Sequence, residues 1–329
     1  MLKITGTPTL VCGVALLMVM GMPAISIAQQ SYPTKPIRFI VPYPPGGSTD
    51  PMARLVGNKL AERWGQSVVI DNRPGASTII GTDAVAKAAP DGYTILLASS
   101  AFVTGPSMFA RLPYNALRDF TGVATIAKSR FVLVVGLAVP ASNLQEFIAL
   151  AKSKPGQLNF ATSGVGANTH LSAELFNGMA GTKMNHIPYK GSGVLVTDLI
   201  SGRVELSFQV PITVMNYITS GRLKAIAITG DGRAAALPEV PTFSEAGLQG
   251  FNPAGWFGIV APTASPKFVI NKMSSEVASI LALPDSRDYL IKQGSESFVS
   301  TPEQVNALIK SDIIKYAKVI KDANIKVQQ

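Results

Sequence analysis

The sequence predicts an α/β protein made of two folding units. Apolar runs typical of β-strands alternate with amphipathic helical stretches, and this alternation starts near residue 37 and again near residue 131. Strands that alternate with helices form parallel sheets with right-handed crossovers. A chain of 329 residues with 47% apolar residues is also long enough to bury more than one core. No linker rich in Gly, Ser or Pro separates the halves, so we expect two lobes joined by strands, with a cleft between them.

The first unit is predicted to begin with three strands and two helices. The strands are the runs IRFIV (37–41), SVVI (67–70) and YTILLA (93–98). Apolar residues recur on one face of residues 50–64, which predicts a helix with Asp50 as its N-cap and Pro51 in the first helical position. The alanine-rich residues 78–89 predict a second helix.

The second unit repeats this pattern. SNLQEFIALAKS predicts a helix in which Ser142 and Gln145 have capping-box spacing. A further helix is expected from about residue 168, and an apolar stripe over residues 302–323 predicts a C-terminal helix. The predicted strands are FVLVVGL (131–137), LNFAT (158–162), NHIPY, VELSF, LKAIAI and GWFGIVAP (255–262).

The N-terminal segment predicts a secretory signal peptide covering residues 1–28. Lys3 precedes a 13-residue apolar run, residues 10–22, and small residues precede a cleavage site near Ala28–Gln29. The alternative is an N-terminal membrane anchor, although a spanning helix needs roughly 20 apolar residues. Such a leader implies an exported protein.

Cysteine usage and charge exclude several classes of protein. Cys12 lies inside the predicted leader, so the mature chain is expected to hold no disulfide, no thiolate nucleophile and no cysteine-based metal site. Removing Lys3 lowers the formal net charge from +9 to +8, which favours an acidic partner such as a small anion. The basic residues form no run with interleaved aromatics, which argues against nucleic acid. A basic surface that only serves solubility is the alternative.

Two loops that follow a strand and open a helix are candidates for an anion site. They are PYPPGGSTD (42–50) and TSGVGANTH (162–170). Glycine lets the backbone approach a ligand closely, and a helix start offers unpaired N–H groups with partial positive charge. The alternative for each loop is an ordinary tight turn. Asp50 would repel an anion, so we interpret it as a helix cap first. Either Gly47→Val or Gly164→Val is expected to abolish binding with the fold intact.

Catalytic, cofactor and metal motifs are not found. The sequence has no G-x-S-x-G, G-x-G-x-x-G or G-x-x-x-x-G-K-[ST] motif, and no H-E-x-x-H, so neither a catalytic residue, a cofactor nor a metal is expected. His170 lies at a helix start, where it could cap the helix or touch a ligand, whereas His186 in a short strand is more typical of a structural residue. Lys190 could pair with an anion or be an exposed loop lysine. Trp64 and Trp256 are expected in the core or in the cleft wall.

Several ordered blocks carry a resemblance to a known family. They are YPTKPIRFIVPYPPGGSTDPMAR, VIDNRPGAS, APDGYTILLAS, LPYNALRDF, FATSGVGANTHLSAELF, IPYKGSGVLVTDLISGRVELSF, and LPEVPTFSEAGL followed by GWFGIVAP. In these blocks, from about Tyr32 to the C-terminal helix, the chain resembles the Bug, or TctC-like, periplasmic solute-binding proteins of tripartite tricarboxylate transporters.

The resemblance implies a type II periplasmic binding fold and no enzymatic activity. Its two α/β lobes would cover residues 31–130 plus 252–329 and residues 131–251. The implied partners are a small carboxylate and the large and small integral membrane components of the transporter, with the receptor acting as a monomer.

The resemblance also implies that two strand-to-helix loops, one in each lobe, hold a ligand carboxylate through backbone groups and bridging waters. The matching positions are Tyr43, Gly46, Gly47, Ser48, Thr49 and Asp50 in the first loop and Ser163, Gly164, Val165 and Gly166 in the second. Further cleft candidates are Ala76, Ser77, Ser99, Ser100, His170, Tyr189 and Asp198.

The chain departs from the family pattern at two places near the expected cleft. Many relatives have Gly-Gly-Asn where this chain has Ser77-Thr78-Ile79, and many have Thr or Ser where it has Ala167. The identity of the carboxylate is therefore left open. Two other functions are alternatives to transport, namely a ligand sensor for a membrane kinase and, with less support, a secreted hydrolase.

Overall fold

The computed structural model describes residues 1–3, 6, 31–322, 325 and 327. The apolar run of the predicted signal peptide, its cleavage point and Cys12 lie outside these residues. From Pro33 onward the chain forms one compact unit. Within the described residues, no helix has the length and apolar character needed to cross a membrane.

The described chain alternates strands and helices, as the apolar periodicity predicts. The strands are β1 (Ile37–Val41), β2 (Val68–Asn72), β3 (Thr94–Ala98), β4 (Phe120–Ser129), β5 (Val132–Val135), β6 (Asn159–Thr162), β7 (Asn185–Pro188), β8 (Leu206–Gln209), β9 (Lys224–Ile228), β10 (Gly255–Pro262) and β11 (Ser295–Ser297). The helices are α1 (Thr49–Trp64), α2 (Ile79–Ala86), α3 (Ser100–Met108), α4 (Leu144–Ser153), α5 (Asn168–Ala180), α6 (Ser192–Ile200), α7 (Pro211–Thr219), α8 (Lys267–Ala282), α9 (Pro284–Lys292) and α10 (Pro302–Asp322).

The strands form two separate sheets, and each sheet with its helices makes one lobe. The first sheet has the order β11-β4-β10-β3-β1-β2, in which β1 pairs in parallel with β2 and β3 while β10 runs antiparallel to β3 and β4. The second sheet has the order β7-β6-β8-β5-β9, with β6 parallel to β7 and β8. Because parallel strands end at one edge of each sheet, their loops into the helices converge there.

The chain crosses between the sheets where β4 ends and β5 begins, and it returns where β9 leads to β10. Gly255 opens β10 at this crossing. A Cβ built on Gly255 would lie 2.6 Å from Nδ2 of Asn168 and 2.7 Å from Oγ of Ser129, so only glycine lets these groups come together. The crossing thus brings the start of α5 next to the ends of β4 and β10.

Aromatic side chains fill the core of each lobe. In the first lobe, the rings of Phe102 and Tyr114 pack edge-on against Phe120, with centroids 5.0 and 5.9 Å apart. Such pairs add about 0.5–1.5 kcal/mol beyond their buried area. In the second lobe, buried Phe176 packs against four other phenylalanines, Phe147, Phe208, Phe243 and Phe251.

Two helix starts differ from the sequence prediction. The N-cap of α1 is Ser48 rather than Asp50, because Thr49 is already helical. In α4 the cap is Asn143, whose Oδ1 accepts the Glu146 N–H at 2.9 Å, so the capping residues lie one position after the predicted Ser142 and Gln145. The long strand β4 and the short strand β11 lie in segments for which no strand was predicted.

Candidate functional site

A cavity of about 450 Å³ lies between the lobes, where strand-to-helix loops of both sheets meet. Its walls combine hydroxyl groups, glycine backbone and aromatic rings. Of the residues predicted from the sequence, these line the cavity: Tyr43, Gly47, Ser48, Thr49, Ser99, Ser100, Ser163 and Asp198.

The Pro-Pro-Gly-Gly turn brings the start of α1 to the cavity. Gly46 has a φ of 83°, which its lack of a Cβ permits, and the chain then enters the helix through Ser48. Half-buried Tyr43 places its hydroxyl 3.1 Å from Oγ of Ser99, at the start of α3. Burial raises the pKa of Tyr43 against the opposing effect of this hydrogen bond, so the phenol stays protonated and can donate to an anion.

Asp50 is turned away from the cavity, and its charge is matched by neighbours. Its carboxylate accepts two hydrogen bonds from Arg54, at 2.8 and 3.2 Å, and one from Nδ2 of Asn72 at 3.1 Å. Asn72 also donates to the carbonyl of Tyr43 at 3.0 Å. Asp50 and Asn72 therefore hold the turn at Tyr43, and the ion pair with Arg54 reduces the repulsion expected between Asp50 and an anion.

In the second loop, three of the four predicted backbone donors are already occupied, and one of them, the Gly164 N–H, donates to Oγ1 of Thr162 at 3.4 Å. The Ser163 N–H donates to Oγ1 of Thr169 at 3.0 Å, and the Gly166 N–H donates to Nδ1 of His170 at 3.2 Å. These bonds fold the loop back on the first turn of α5. Asn168 and Thr169 line the cavity, so this loop offers the N–H groups of its helix start.

His170 and His186 stack on each other behind this loop, with His170 buried and His186 partly exposed. Their ring centroids are 3.9 Å apart, and His186 also stacks on Phe160. Burial, with a smaller contribution from the nearby His170, lowers the pKa of His186 to about 3. Burial by itself would raise the pKa of Glu174, but hydrogen bonds from His170 and Asn177 outweigh it and lower that pKa. The two histidines do not line the cavity, and His170 holds the loop behind it by accepting the Gly166 N–H.

A third loop, between β7 and α6, also lines the cavity, and it was not predicted as one of the ligand-binding loops. Its Lys190 is the only basic residue among the described residues that line the cavity. Asp198 also lines the cavity, but both its carboxylate oxygens are engaged, one by the Tyr189 hydroxyl and one by Arg203, each at 2.9 Å. The lining members of this loop and helix are Lys190, Gly191, Ser192, Gly193, Val194, Thr197 and Asp198. The signal that identifies the loop is the same glycine-rich entry into a helix, YKGSG, that marks the first loop.

The other wall comes from the crossing between the sheets and was also missed, apart from Trp256. Buried Trp256 lines the cavity with one part of its ring and donates its Nε1–H to Asp312 at 2.8 Å with the other. Four other lining residues were not predicted from the sequence, namely Ser129, Phe131, Val210 and Phe257. Five more lie within the two predicted loops, although they were not singled out there as ligand contacts: Pro44, Pro45, Ala167, Asn168 and Thr169. No local sequence pattern predicts this wall, because the wall depends on how β4 and β10 pack.

The other predicted residues lie around the cavity without lining it. Ala76 and Ser77 form a turn with positive φ, 44° and 50°, and a Cβ built on Gly164 would lie 3.7 Å from Oγ of Ser77 across the cleft. Gly166 accepts a hydrogen bond from Thr104 of α3 at 2.6 Å. The predicted residues outside the lining are Gly46, Asp50, Ala76, Ser77, Gly164, Val165, Gly166, His170 and Tyr189.

Five helices start at the cavity, and none is capped by its own N-cap side chain. The N-cap residues are Ser48 of α1, Ser99 of α3, Ala167 of α5, Gly191 of α6 and Val210 of α7. All five line the cavity. The first N–H groups of a helix have no intrahelical acceptor, and the helix dipole adds partial positive charge there. The cavity is thus surrounded by backbone donors that suit an anion.

Across the described residues, no three His, Cys, Asp or Glu side chains come together as a group that could hold a metal ion. Ser163 in the cavity contacts Thr169, and its Oγ lies 3.1 Å from Oγ1 of that residue.

The chain is similar in sequence to a family of transporter receptors. Residues 52–325 match the family model described as "Tripartite tricarboxylate transporter family receptor". The chain is 37% identical over 307 residues to protein BugT of Bordetella pertussis, covering 93% of this chain and 94% of BugT.

Two solved structures of similar proteins hold small acids. One is the R. palustris protein Rpa4515 with adipate, with a TM-score of 0.88 and 32% identity over 91% of this chain and all of that one. The other is MatC from Rhodopseudomonas palustris with bound malate, with a TM-score of 0.81 and 29% identity over 88% of this chain and all of that one.

The chain belongs to the tripartite tricarboxylate transporter receptor family. Its fold is that of the periplasmic binding proteins of this family, with two α/β lobes and a cleft between them. The family consists of solute-binding receptors rather than enzymes, which disagrees with the hydrolase alternative.

Proposed function

We propose that this protein captures a small carboxylate between its lobes and delivers it to the large and small membrane components of a tripartite transporter. The observation that carries the proposal is the convergence of five uncapped helix starts on one cavity of about 450 Å³. A carboxylate placed there accepts hydrogen bonds from several backbone N–H groups and compensates the partial positive charge of the helix ends.

The acids bound to the two relatives support this assignment. Adipate and malate are both small carboxylates, and the proteins that hold them share the present fold over nearly the whole chain. We further propose that the receptor is exported by cleavage of residues 1–28 and works in the periplasm as a monomer. Its lobes are proposed to cover residues 31–130 plus 252–329 and residues 131–251.

The donors that we assign to the carboxylate lie at the helix starts. In the first lobe they are the Tyr43 hydroxyl and the N–H groups of Ser48 and Thr49. In the second lobe they are the N–H groups of Asn168 and Thr169, because those of Ser163, Gly164 and Gly166 are occupied by side chains. The lobes close when the bound acid gains contacts to both sides.

A thermal-shift screen tests the proposal. The purified protein is unfolded and refolded to remove bound ligand, and is then screened with mono-, di- and tricarboxylates, aromatic acids and amino acids. Sugars and inorganic phosphate are the control ligands. An acid at a hundred times its Kd stabilises the protein by roughly 2.7 kcal/mol, which is a readable shift. Stabilisation by sugars or phosphate, with none by any carboxylate, would refute the assignment.

The variant Gly47→Val tests where the acid binds. A Cβ on Gly47 meets no atom within 4 Å and lies at the cavity, so valine there keeps the fold but blocks approach to the start of α1. Loss of one charge-assisted hydrogen bond weakens binding by about 1.5–3 kcal/mol, or about 10- to 100-fold. Gly232→Val is the matched control, because Gly232 is also unobstructed and lies outside the cavity lining. Equal affinity of both variants would exclude the proposed contact.

A further inference from the structure

The start of α6 touches the Pro-Pro-Gly-Gly turn of the opposite lobe. A Cβ built on Gly193 would lie 3.5 Å from the carbonyl oxygen of Gly46 and 3.8 Å from that of Pro45. A Cβ built on Gly191 would lie 3.2 Å from Cδ of Pro44. We call these five residues the rim contact. It places the backbone of one lobe against the turn of the other, and larger side chains at the two α6 glycines would keep the surfaces apart.

The rim contact lies at the solvent-exposed end of the cavity. Pro45, Gly46 and Gly193 are exposed and Gly191 is covered, whereas Ser129 and Phe131 at the other end are both buried. The chain crosses between the sheets at that buried end, from Ser129 to Val132. A rotation of the lobes about the crossing moves the exposed end most, because displacement grows with distance from the axis. Such a rotation would separate the two sides of the rim contact.

We propose that Gly193 sets ligand affinity by allowing the lobes to close, as a positioning residue that contributes no side chain to the ligand. This inference rests on the proposed function. A side chain longer than a methyl group at position 193 occupies the space that Gly46 fills in the closed state. The closed state then becomes rarer, and the apparent affinity falls in proportion to its population. In the open state the same side chain extends into solvent and leaves folding unaffected.

The test compares Gly193→Leu, Gly193→Ala and the control Gly178→Leu. Gly178 lies inside α5, outside the cavity lining, and a Cβ there meets no atom within 4 Å. Both leucine variants replace a helical glycine, so both gain helix propensity to a similar extent. Calorimetric titration uses the acid that gives the largest thermal shift with the wild-type protein, and the melting temperature of each ligand-free protein is recorded.

Gly193→Leu is expected to raise the apparent Kd about tenfold or more and to speed dissociation, since a closed state ten times rarer raises Kd tenfold. Gly193→Ala is expected to stay within about threefold of the wild type, because its Cβ only reaches ordinary van der Waals distance. Gly178→Leu is expected to bind like the wild type.

Wild-type affinity in Gly193→Leu would overturn the inference and leave the proposed function standing. A melting temperature of ligand-free Gly193→Leu well below that of Gly178→Leu would also overturn it, since position 193 would then matter for folding. A wild-type protein that binds none of the acids would instead refute the proposed function, and the inference with it.

Discussion

Acidification from pH 7 to pH 5 is expected to destabilise the protein through His186, and His186→Phe is expected to remove that part of the effect. Burial and the adjacent His170 lower the pKa of His186 to about 3, from an ordinary value of 6.5. Between these two values the unfolded state binds a proton that the folded state does not bind. The neutral ring therefore makes its full contribution to the free energy of unfolding above pH 6.5, and this contribution is lost progressively as the pH falls below 6.5.

The magnitude follows from proton linkage. One pH unit within this window changes the free energy of unfolding by at most about 1.4 kcal/mol, so the loss at pH 5 is at most about 2 kcal/mol. His186 is partly exposed, which reduces the effect, and we expect about 1–2 kcal/mol. Glu174 acts in a different window, because its lowered pKa contributes stability that is lost only as the pH falls through that lowered value.

Urea unfolding at pH 7, 6 and 5 measures the effect. Phenylalanine keeps an aromatic ring stacked between Phe160 and His170 but loses the contact of His186 Nε2 with Thr162 Oγ1 at 2.6 Å. The absolute stabilities of the two proteins will therefore differ, and only their pH dependence is compared. The wild type is expected to lose about 1–2 kcal/mol more than the variant between pH 7 and pH 5. Equal losses would refute the assignment of the acid sensitivity to His186.

Two stability predictions follow from buried or capping hydrogen bonds. Trp256→Phe removes the donor to the buried Asp312 carboxylate. We expect it to lower the free energy of unfolding by about 1–3 kcal/mol, measured by urea unfolding. A loss below about 0.5 kcal/mol would be inconsistent with this role. Asn143→Ala removes the cap that accepts the Glu146 N–H and is expected to cost about 1 kcal/mol, measured in the same way. Ser142→Ala is its control and is expected to leave stability unchanged, so an equal loss in both variants would contradict the cap assignment.

The fold was predictable because its strands and helices have distinct apolar periods. Runs such as residues 37–41 and 255–262 became strands over the predicted lengths, and the helix of residues 50–64 formed with its start one residue earlier. The strand β4 escaped prediction because FTGVATIAKS mixes glycine, alanine and threonine without a strong apolar pattern. The glycine at position 122 of this strand is explained by packing, since a Cβ there would lie 2.6 Å from Cβ of Val305.

The candidate site was predictable where a local pattern forms it. The turn at residues 44–47 and the start of α1 were expected at the cavity, because glycine followed by a helix start is visible in the sequence. All residues from 44 to 49 except Gly46 line it. Whether a particular N–H is free was not visible. That depends on side chains such as Thr169 and His170, which turn back to occupy the backbone groups of their own loop.

Gly47 and Gly164 show how the structure separates two residues that the sequence treats alike. Gly47 has a backbone conformation open to any residue and free space at its Cβ position, so valine there changes the cavity and little else. Gly164 has a φ of 143°, and a Cβ there would lie 3.6 Å from the Tyr189 carbonyl oxygen and 3.7 Å from Oγ of Ser77. A valine held in such a region costs on the order of 1–3 kcal/mol. A loss of binding in Gly164→Val could therefore come from backbone strain as well as from a lost ligand contact. Of the two variants, only Gly47→Val tests the approach of the backbone to the acid by itself.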